Sequence, residues 1–337
     1  MSTKRLLSLL LPLAWLLLLP VTALQAAQVI KIATLSPDGT SWMRAMRAAG
    51  DEITKGTQGR VELRFYPGGV MGNDQSVIRK IRAGQLQGGA VTAGALIGVD
   101  KDIQVYGIPF LFRDLQEVDL VRKRLDDTLL ADLERKGFVG FGFAEGGFAY
   151  LMSTRPVKSI ADLKAGKVWS PEGDTISLTA FESVGVAPVT LPLTDVLTAL
   201  QTGLIDTVAS SPTGAIALQW HTRVKYLTEV PLLYTYGILV ITDQAFKKLS
   251  TPDQALMRQV LGRSFQQIDA QNRRDNEDAL KALKQQGIDF LQPAPQDLDG
   301  WRRTVDTAQQ KLVSQGYFSR DIVDKVRKIL ADKRGGH

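Results

Sequence analysis

Residues Thr251 to Gln286 read TPDQALMRQVLGRSFQQIDAQNRRDNEDALKALKQQ, the longest stretch with an uninterrupted helical pattern. It contains no glycine or proline except Gly262 and Pro252, and proline is favoured where a helix begins. The pattern therefore predicts one very long helix. Its centre, Asp269 to Asp278, is strongly polar, whereas both ends carry apolar residues. A polar middle between apolar ends is typical of a helix that crosses between two lobes.

Short apolar strands and amphipathic helices alternate before this helix. The first hundred residues predict a β-α-β-α-β order, with strands at Val29–Thr34, Val61–Tyr66 and Gly88–Thr92. Thr40 or Ser41 is expected to cap the first helix and Asn73 the second. This order implies an α/β fold in which helices cover a parallel or mixed sheet.

The later elements are predicted from the same patterns. Separate strands are expected at Phe138–Phe143 and Tyr150–Ser153. Thr194 is expected to cap a helix. The tail from Leu298 to Leu330 is predicted to be helical, with breaks at Gly300 and Gly316.

Composition excludes several function classes. The 337 residues are 44% hydrophobic and 23% charged, which is typical of a folded protein of about two domains. The absence of cysteine excludes disulfides, thiolate metal sites and a cysteine nucleophile. The only histidines are His221 and His337, so no multi-histidine metal site is expected. We predict no metal and no cofactor.

The basic excess is modest, and no nucleic-acid partner is predicted. The net charge is +6, and the basic residues form small groups such as Arg79-Lys80-Arg82 and Arg122-Lys123-Arg124. Each group lies in a predicted amphipathic helix, where a solvated polar face explains it. No nucleic-acid motif accompanies these groups.

The N-terminus has the order of an export signal. Lys4 and Arg5 precede the apolar run Leu6 to Leu19, and small residues follow up to Ala27. A membrane-spanning helix needs about 20 apolar residues, so the run is too short for an anchor. We therefore predict a signal peptide over residues 1–27 and a periplasmic mature protein.

Motifs of the common enzyme classes are absent from the sequence. The run Gly140 to Glu145 has glutamate where a dinucleotide fingerprint requires its third glycine. Neither a Gly-x-Ser-x-Gly elbow nor a His-Glu-x-x-His motif occurs. A secreted hydrolase would need His221 as its base, without any local signature. We predict that the protein is not an enzyme.

Four longer motifs occur in a characteristic order. They are Pro67–Asp74, Ile108–Asp114, Arg155–Lys164 and Ala199–Asp206. Together they resemble the solute-binding subunits of tripartite ATP-independent periplasmic (TRAP) transporters, the DctP-like family. The resemblance covers roughly residues Val29 to Gln286.

The resemblance implies a two-lobed periplasmic-binding-protein fold with an interlobe cleft, hinge strands and a long helix that spans both lobes. Lobe I is expected over residues 28–146 and 236–274, and lobe II over residues 147–235 and 275–305. Residues 306–337 are expected to form a C-terminal helical segment. The implied partners are a small organic solute and the membrane permease subunits of a TRAP transporter. The alternative is an extracytoplasmic sensing subunit of the same fold, partnered with a membrane signalling protein.

Three polar anchors that the resemblance implies are changed in this sequence. The strand that carries the family arginine, which binds the substrate carboxylate, reads Lys167-Val168-Trp169-Ser170 here. The stretch Gly147 to Tyr150 also lacks the second family arginine, and Asp206 to Pro212 replaces an asparagine-containing run. We therefore expect a ligand that is not a simple dicarboxylate but apolar, aromatic or cationic. The alternative is that Trp169 is only a core residue and another arginine binds the carboxylate.

The other candidate ligand-binding residues have structural explanations of similar weight, such as core packing, helix capping or a solvated surface. They are Trp42, Glu145, Phe148, Asp195, Ser210, Ser211, Trp220, His221 and Tyr236. Tyr234 lies in the same returning strand as Tyr236. Glu172 and Asp174 flank Gly173, where they are positioned to receive a cation, although solvated loop carboxylates are more usual.

Overall fold

The computed structural model describes residues 27–335, without the side chains of residues 302–306. Except for Ala27, the predicted signal peptide lies outside the described residues. The described chain forms ten strands: β1 (Gln28–Thr34), β2 (Val61–Tyr66), β3 (Gly88–Thr92), β4 (Phe138–Ser153), β5 (Trp169–Pro171), β6 (Val189–Leu191), β7 (Thr207–Ser210), β8 (Tyr226–Thr228), β9 (Leu233–Thr242) and β10 (Asp289–Leu291).

Eleven α-helices accompany the strands in this part of the chain: α1 (Ser41–Gly56), α2 (Asp74–Arg82), α3 (Leu115–Arg135), α4 (Ile160–Lys164), α5 (Thr175–Ser183), α6 (Val196–Thr202), α7 (Pro212–Ala217), α8 (Asp243–Phe246), α9 (Thr251–Gln285), α10 (Pro295–Ser314) and α11 (Arg320–Gly335). Short 3₁₀ helices lie at Ala93–Leu96, Lys101–Gly107, Leu193–Asp195 and Trp220–Thr222. None of the helices within residues 27–335 combines the length and apolarity needed to cross a membrane.

Two long antiparallel strands join the halves of the molecule. The main sheet has the order β10-β8-β4-β9-β3-β1-β2, and β7 also pairs with β4. Strands β1, β2 and β3 are parallel and lie beyond β9, whereas β7 and β8 pair with the far end of β4. The β4–β9 ladder runs from Phe138 opposite Thr242 to Ala149 opposite Leu233, with a register shift between Glu145 and Gly147. The two-lobed α/β fold with hinge strands is therefore confirmed.

Helix α9 packs against both halves, as its polar centre predicted. Near its start, Met257 and Phe265 belong to the core formed with β1 and α1. Near its end, Leu283 packs in a separate core with Trp169 and Leu227. The apolar ends of the helix are thus buried in different cores, and its polar middle passes the hinge strands.

Polar side chains cap the first turns of α1 and α2. Thr40 Oγ1 accepts from Met43 N at 3.2 Å, and Asn73 Oδ1 accepts from Ser76 N at 2.9 Å. Both contacts satisfy a helix N–H group that has no partner within the helix. The predicted caps of α1 and α2 are confirmed.

Three predicted details are wrong. Residues 138–153 form the single strand β4 rather than two strands, because pairing with β9 continues past the glycines and register shifts absorb the irregularity. Helix α10 starts at Pro295 and continues through Gly300, because Trp301 is buried in a core on one face of it. The Thr194 side chain donates to Asp195 Oδ1 instead of capping α6.

The C-terminal segment returns to the half that contains β1. Ile322 and Val326 of α11 join the core that contains Val118 and Val121 of α3. Arg334 Nη2 lies 2.7 Å from Glu117 Oε2 and fixes the end of α11 on the start of α3. Helix α10 contributes Trp301 to a core of the other half, and its end contributes Leu312 to the core that α11 joins.

Candidate functional site

A cavity of about 370 Å³ lies between the two halves of the molecule. One wall comes from the start of α2, the residues after β3 and the 3₁₀ helix Lys101–Gly107. The facing wall comes from β5, α5 and the residues around β7, and the hinge strand β9 closes one side. Seven aromatic rings line it, from Phe110, Trp169, Phe181, Trp220, Tyr234, Tyr236 and Trp301.

Trp169 belongs both to the core and to the cavity wall. Its side chain is 4% exposed, and its ring meets the ring of Trp220 edge-on at 5.1 Å. Trp169 Nε1 donates to Leu191 O at 3.0 Å. Because this donor is already engaged, Trp169 offers the cavity its aromatic surface.

The hinge tyrosines are fixed by hydrogen bonds to the protein. Tyr236 Oη donates to Ile103 O at 2.7 Å. Tyr234 Oη donates to Glu145 Oε2 and accepts from Arg122 Nη1, both at 3.1 Å. Burial raises the pKa of both tyrosine hydroxyls, so they stay protonated at neutral pH.

Three carboxylates line the cavity. Asp74 Oδ2 accepts from Thr92 N at 3.0 Å and from Thr92 Oγ1 at 2.7 Å. Asp174 caps α5 and accepts from Ser177 N at 3.0 Å and Ser177 Oγ at 2.6 Å. Glu172 Oε2 accepts from Asn73 Nδ2 at 2.9 Å. Burial raises the pKa of Asp74 and Asp174, because it penalises their charged forms.

Basic side chains are absent from the cavity wall among the side chains that the structure describes. Arg155 instead donates to Asp162 O at 2.6 Å and pairs with Asp206 at 3.4 Å. Arg122 pairs with Asp269 at 2.7 Å and donates to Tyr234 Oη at 3.1 Å. The described side chains of the cavity wall are therefore acidic and aromatic.

Half of the candidate residues from the sequence line the cavity. Trp169 and Trp220 share one wall, Ser210 and Ser211 lie where β7 leads into α7, and Tyr236 comes from β9. The cavity is also lined by three weaker candidates from the sequence, namely Glu172, Asp174 and Tyr234.

The other five candidates lie elsewhere, and we leave them out of the site. Trp42 packs on the core of α1, and Phe148 packs on Tyr234 beside the cavity. Asp195 is exposed, and His221 Nδ1 lies 3.1 Å from Ala215 O.

Glu145 is the fifth of these residues. It is only 1% exposed and lies 2.7 Å from Arg273 Nη2 on α9. Its backbone N–H donates to Asp269 Oδ1 at 2.7 Å. Glu145 therefore ties the hinge strand to the long helix and does not face the cavity.

The lining residues that the sequence reasoning missed include Asp74, Gln104 and Trp301. Asp74 lies next to a recognised cap, and Trp301 lies in the tail, more than a hundred residues from β5. Two of the recognised motifs reach the cavity: Pro67–Asp74 ends at Asp74, and Ile108–Asp114 contains Pro109 and Phe110.

Comparison with known proteins identifies the family of this chain. The model of the DctP family, described as bacterial extracellular solute-binding protein, family 7, matches residues 32–315. The chain belongs to this family. The DctP-like resemblance of the four sequence motifs is confirmed, and the protein is a TRAP solute-binding protein and not an enzyme.

Curated DctP-family relatives match most of the chain at low identity. The 2,3-diketo-L-gulonate-binding periplasmic protein YiaO of Escherichia coli is 26% identical over 279 residues, covering 80% of this chain and 83% of its own. The C4-dicarboxylate-binding periplasmic protein DctP of Rhodobacter capsulatus is 22% identical over 303 residues, covering 89% and 90%.

Solved DctP-type structures share the fold. A TRAP periplasmic solute-binding protein from Xanthobacter autotrophicus Py2, crystallised with bound β-D-galacturonate, superposes with a TM-score of 0.82 at 21% identity. The match covers 90% of this chain and 99% of that chain.

Proposed function

We propose that this protein captures a small organic solute in the periplasm and delivers it to the membrane permease subunits of a TRAP transporter. The observation that supports this most directly is the 370 Å³ cavity between two lobes that are joined by the hinge strands β4 and β9. A ligand that prefers the closed form shifts such a protein toward closure.

The lobes divide, in this proposal, at the register shift between Glu145 and Gly147. Residues 28–146 and 236–274 then form lobe I, and residues 147–235 and 275–305 form lobe II. The segment 306–337 follows as a helical addition.

The proposed ligand is not a simple dicarboxylate. Trp169 stands where the family resemblance implies a carboxylate-binding arginine, and no described cationic side chain lines the cavity. A carboxylate that loses its hydration without a charged partner pays a large desolvation cost. An apolar body gains about 25 cal/mol for each Å² that the aromatic wall removes from water.

Native mass spectrometry of freshly purified protein tests for a retained solute, and solution scattering with that solute tests for closure. We expect a bound organic molecule and a smaller radius of gyration at saturation. A protein without any solute and with an unchanged radius for every compound tried would contradict the proposed function.

Thermal shift measurements test the ligand class. Saturation at a hundred times the dissociation constant stabilises the fold by about 2.7 kcal/mol, which is readily seen. Succinate, malate and fumarate should give no shift. Trp169→Ala should abolish the shift of the true solute, and Trp169→Phe, which keeps most of the packing, should weaken it. A succinate shift that survives both substitutions would contradict this interpretation of Trp169.

A further inference from the structure

Two large apolar side chains are exposed on the surface, one on each proposed lobe. Val70 is 70% exposed and Leu204 is 50% exposed, whereas the other large apolar side chains that the structure describes are buried or half-buried. Val70 precedes α2 in lobe I, and Leu204 follows α6 in lobe II. A single exposed apolar residue is ordinary, so the surroundings of these two decide whether a partner covers them.

The turn that carries Val70 is held in place by hydrogen bonds. Gly69 N donates to Thr34 O at 3.0 Å on one side of the turn. Lys80 Nζ donates to Met71 O at 2.8 Å on the other side. An ordered turn therefore presents Val70 to solvent, and a partner that covers it has little backbone entropy to remove.

Cationic side chains lie beside Val70 without a carboxylate. An open surface pocket adjoins Val70, and its lining includes Met71, Ser76, Arg79, Lys80 and Gln85. Arg79 Nη2 donates to Ser76 Oγ at 2.7 Å. No acidic residue among the described side chains lines this pocket, so its two cations are not neutralised there. A partner that places a carboxylate beside an apolar side chain complements the pocket in both charge and polarity.

The same turn lies against the other proposed lobe. A Cβ atom on Gly69 would lie 3.6 Å from Thr194 Cγ2. Thr194 lies in the 3₁₀ helix Leu193–Asp195, which leads directly into α6, and Leu204 follows the end of α6. The seven residues of α6 span about 10 Å. One partner of ordinary interface size therefore reaches Val70 and Leu204 together while the lobes are in contact.

We propose that Val70, Arg79 and Leu204 belong to a docking surface that spans both lobes. Its occupant is a periplasmic segment of the membrane permease subunits, which presents an acidic side chain beside an apolar one. The permease is favoured over a second copy of this chain or a lipid surface, because delivery requires a partner that distinguishes closed from open lobes. The proposal rests on the delivery function proposed above and adds the surface that the permease recognises.

Binding to the permease tests this surface. Biolayer interferometry measures how the exported protein binds the TRAP permease subunits encoded with it, held in lipid nanodiscs. Val70→Asp and Leu204→Asp place a charge in the apolar contact, and each should weaken binding by about tenfold. Arg79→Gln removes a cation and keeps a polar side chain. It should weaken binding by about fivefold and reduce its salt dependence.

A matched variant and three further measurements serve as controls. Arg124→Gln makes the same charge change at an exposed position of α3 outside this pocket and should leave binding unchanged. All four variants alter exposed side chains, so their unfolding temperatures should match the wild type. Solute retention in native mass spectrometry should also be unchanged, because none of the four residues lines the cavity. Empty nanodiscs of the same lipid and sedimentation of the free protein test for lipid binding and self-association.

Several results would overturn the proposal. Equal permease affinity of Val70→Asp, Arg79→Gln and the wild type would remove this surface and leave the delivery function standing. A loss in Val70→Asp without a loss in Leu204→Asp would confine docking to one lobe. Equal binding to empty nanodiscs, or self-association that Val70→Asp abolishes, would assign the surface to lipid or to a second copy. Failure of the wild type to bind the permease would contradict the delivery function as well.

Discussion

Asn73 Nδ2 donates a hydrogen bond of 2.9 Å to Glu172 Oε2 and so joins the start of α2 to the residues after β5 across the cleft. The same Asn73 side chain caps α2 through its Oδ1 atom, which accepts from Ser76 N. One amide therefore serves both helix stability and contact between the proposed lobes.

Asn73→Asp separates these two roles. Aspartate caps a helix as well as asparagine does, but it cannot donate to Glu172 and places a second negative charge beside it. We expect little change in thermal stability without ligand and a loss of up to about tenfold in ligand affinity. Calorimetric titration measures the affinity. Adding Glu172→Gln should restore part of it, and equal affinity of Asn73→Asp and the wild type would show that the contact does not favour closure.

The pattern-based prediction of the fold was accurate where local chemistry fixes the element. Caps such as Asn73 act on the residues beside them, so α2 was predicted at its observed start. Strand β4 was divided in error because its continuity depends on pairing with β9, nearly a hundred residues away in sequence. Helix α10 passes Gly300 because of the tertiary burial of Trp301, which local propensity does not contain.

The hinge network should depend strongly on Arg273. This side chain bonds Glu145 at 2.7 Å and Asp119 at 2.6 Å, and Glu145 is almost fully buried. Arg273→Met leaves a buried carboxylate without its charged partner, which costs about 3–5 kcal/mol of unfolding free energy. Urea unfolding measures this loss.

Arg274→Met is the matched control on the same helix. Arg274 Nη2 bonds the neighbouring Gln271 side chain at an exposed position, so the change should stay within about 0.5 kcal/mol. Adding Glu145→Gln to Arg273→Met should recover part of the stability. Equal losses in Arg273→Met and Arg274→Met would show that the buried pair does not stabilise the hinge.

Asp253 should make the fold sensitive to acid. Its hydrogen bonds with Arg60, at 2.8 and 3.1 Å, hold the pKa of the Asp253 carboxyl below its usual range. A depressed folded-state pKa contributes stability above the unfolded pKa, about 3.9, and this is lost as the pH falls through the folded pKa. Asp253→Asn should therefore be less stable than the wild type at neutral pH, and the difference should disappear in acid. Denaturant unfolding across the pH range checks this, and a difference that persists unchanged in acid would contradict it.

Gly147 should resist substitution, whereas Gly262 should accept it. Gly147 has a φ of +89°, and a Cβ there would lie 2.6 Å from Asn276 Nδ2. Gly147→Ala should cost about 1–3 kcal/mol. Gly262 lies inside α9 with open space around its missing Cβ, so Gly262→Ala should stabilise the fold by about 1 kcal/mol. Thermal unfolding of both variants measures the contrast, and a Gly147→Ala variant as stable as the wild type would show that the hinge strand relaxes freely.

The candidate site was only partly predictable, for reasons of distance in sequence. Trp169 stood out because the family resemblance implies arginine there, and it lines the cavity. Glu145 looked like a cleft residue because its neighbours are glycines, but its partner Arg273 lies 128 positions further along the chain. Asp74 and Trp301 line the same cavity, but they come from segments that are far apart in sequence and have no common sequence pattern. Their proximity could therefore not be predicted.

Three of the five tryptophans, Trp169, Trp220 and Trp301, line the cavity, and the rings of Trp169 and Trp220 are 5.1 Å apart. The tryptophans of the cavity can thus serve as intrinsic fluorescent reporters. A solute that packs against these indoles changes their emission, and the nearby pair exchanges excitation energy. Occupancy is therefore readable by intrinsic fluorescence in dilute, unlabelled protein, without a dye and before the solute has been identified.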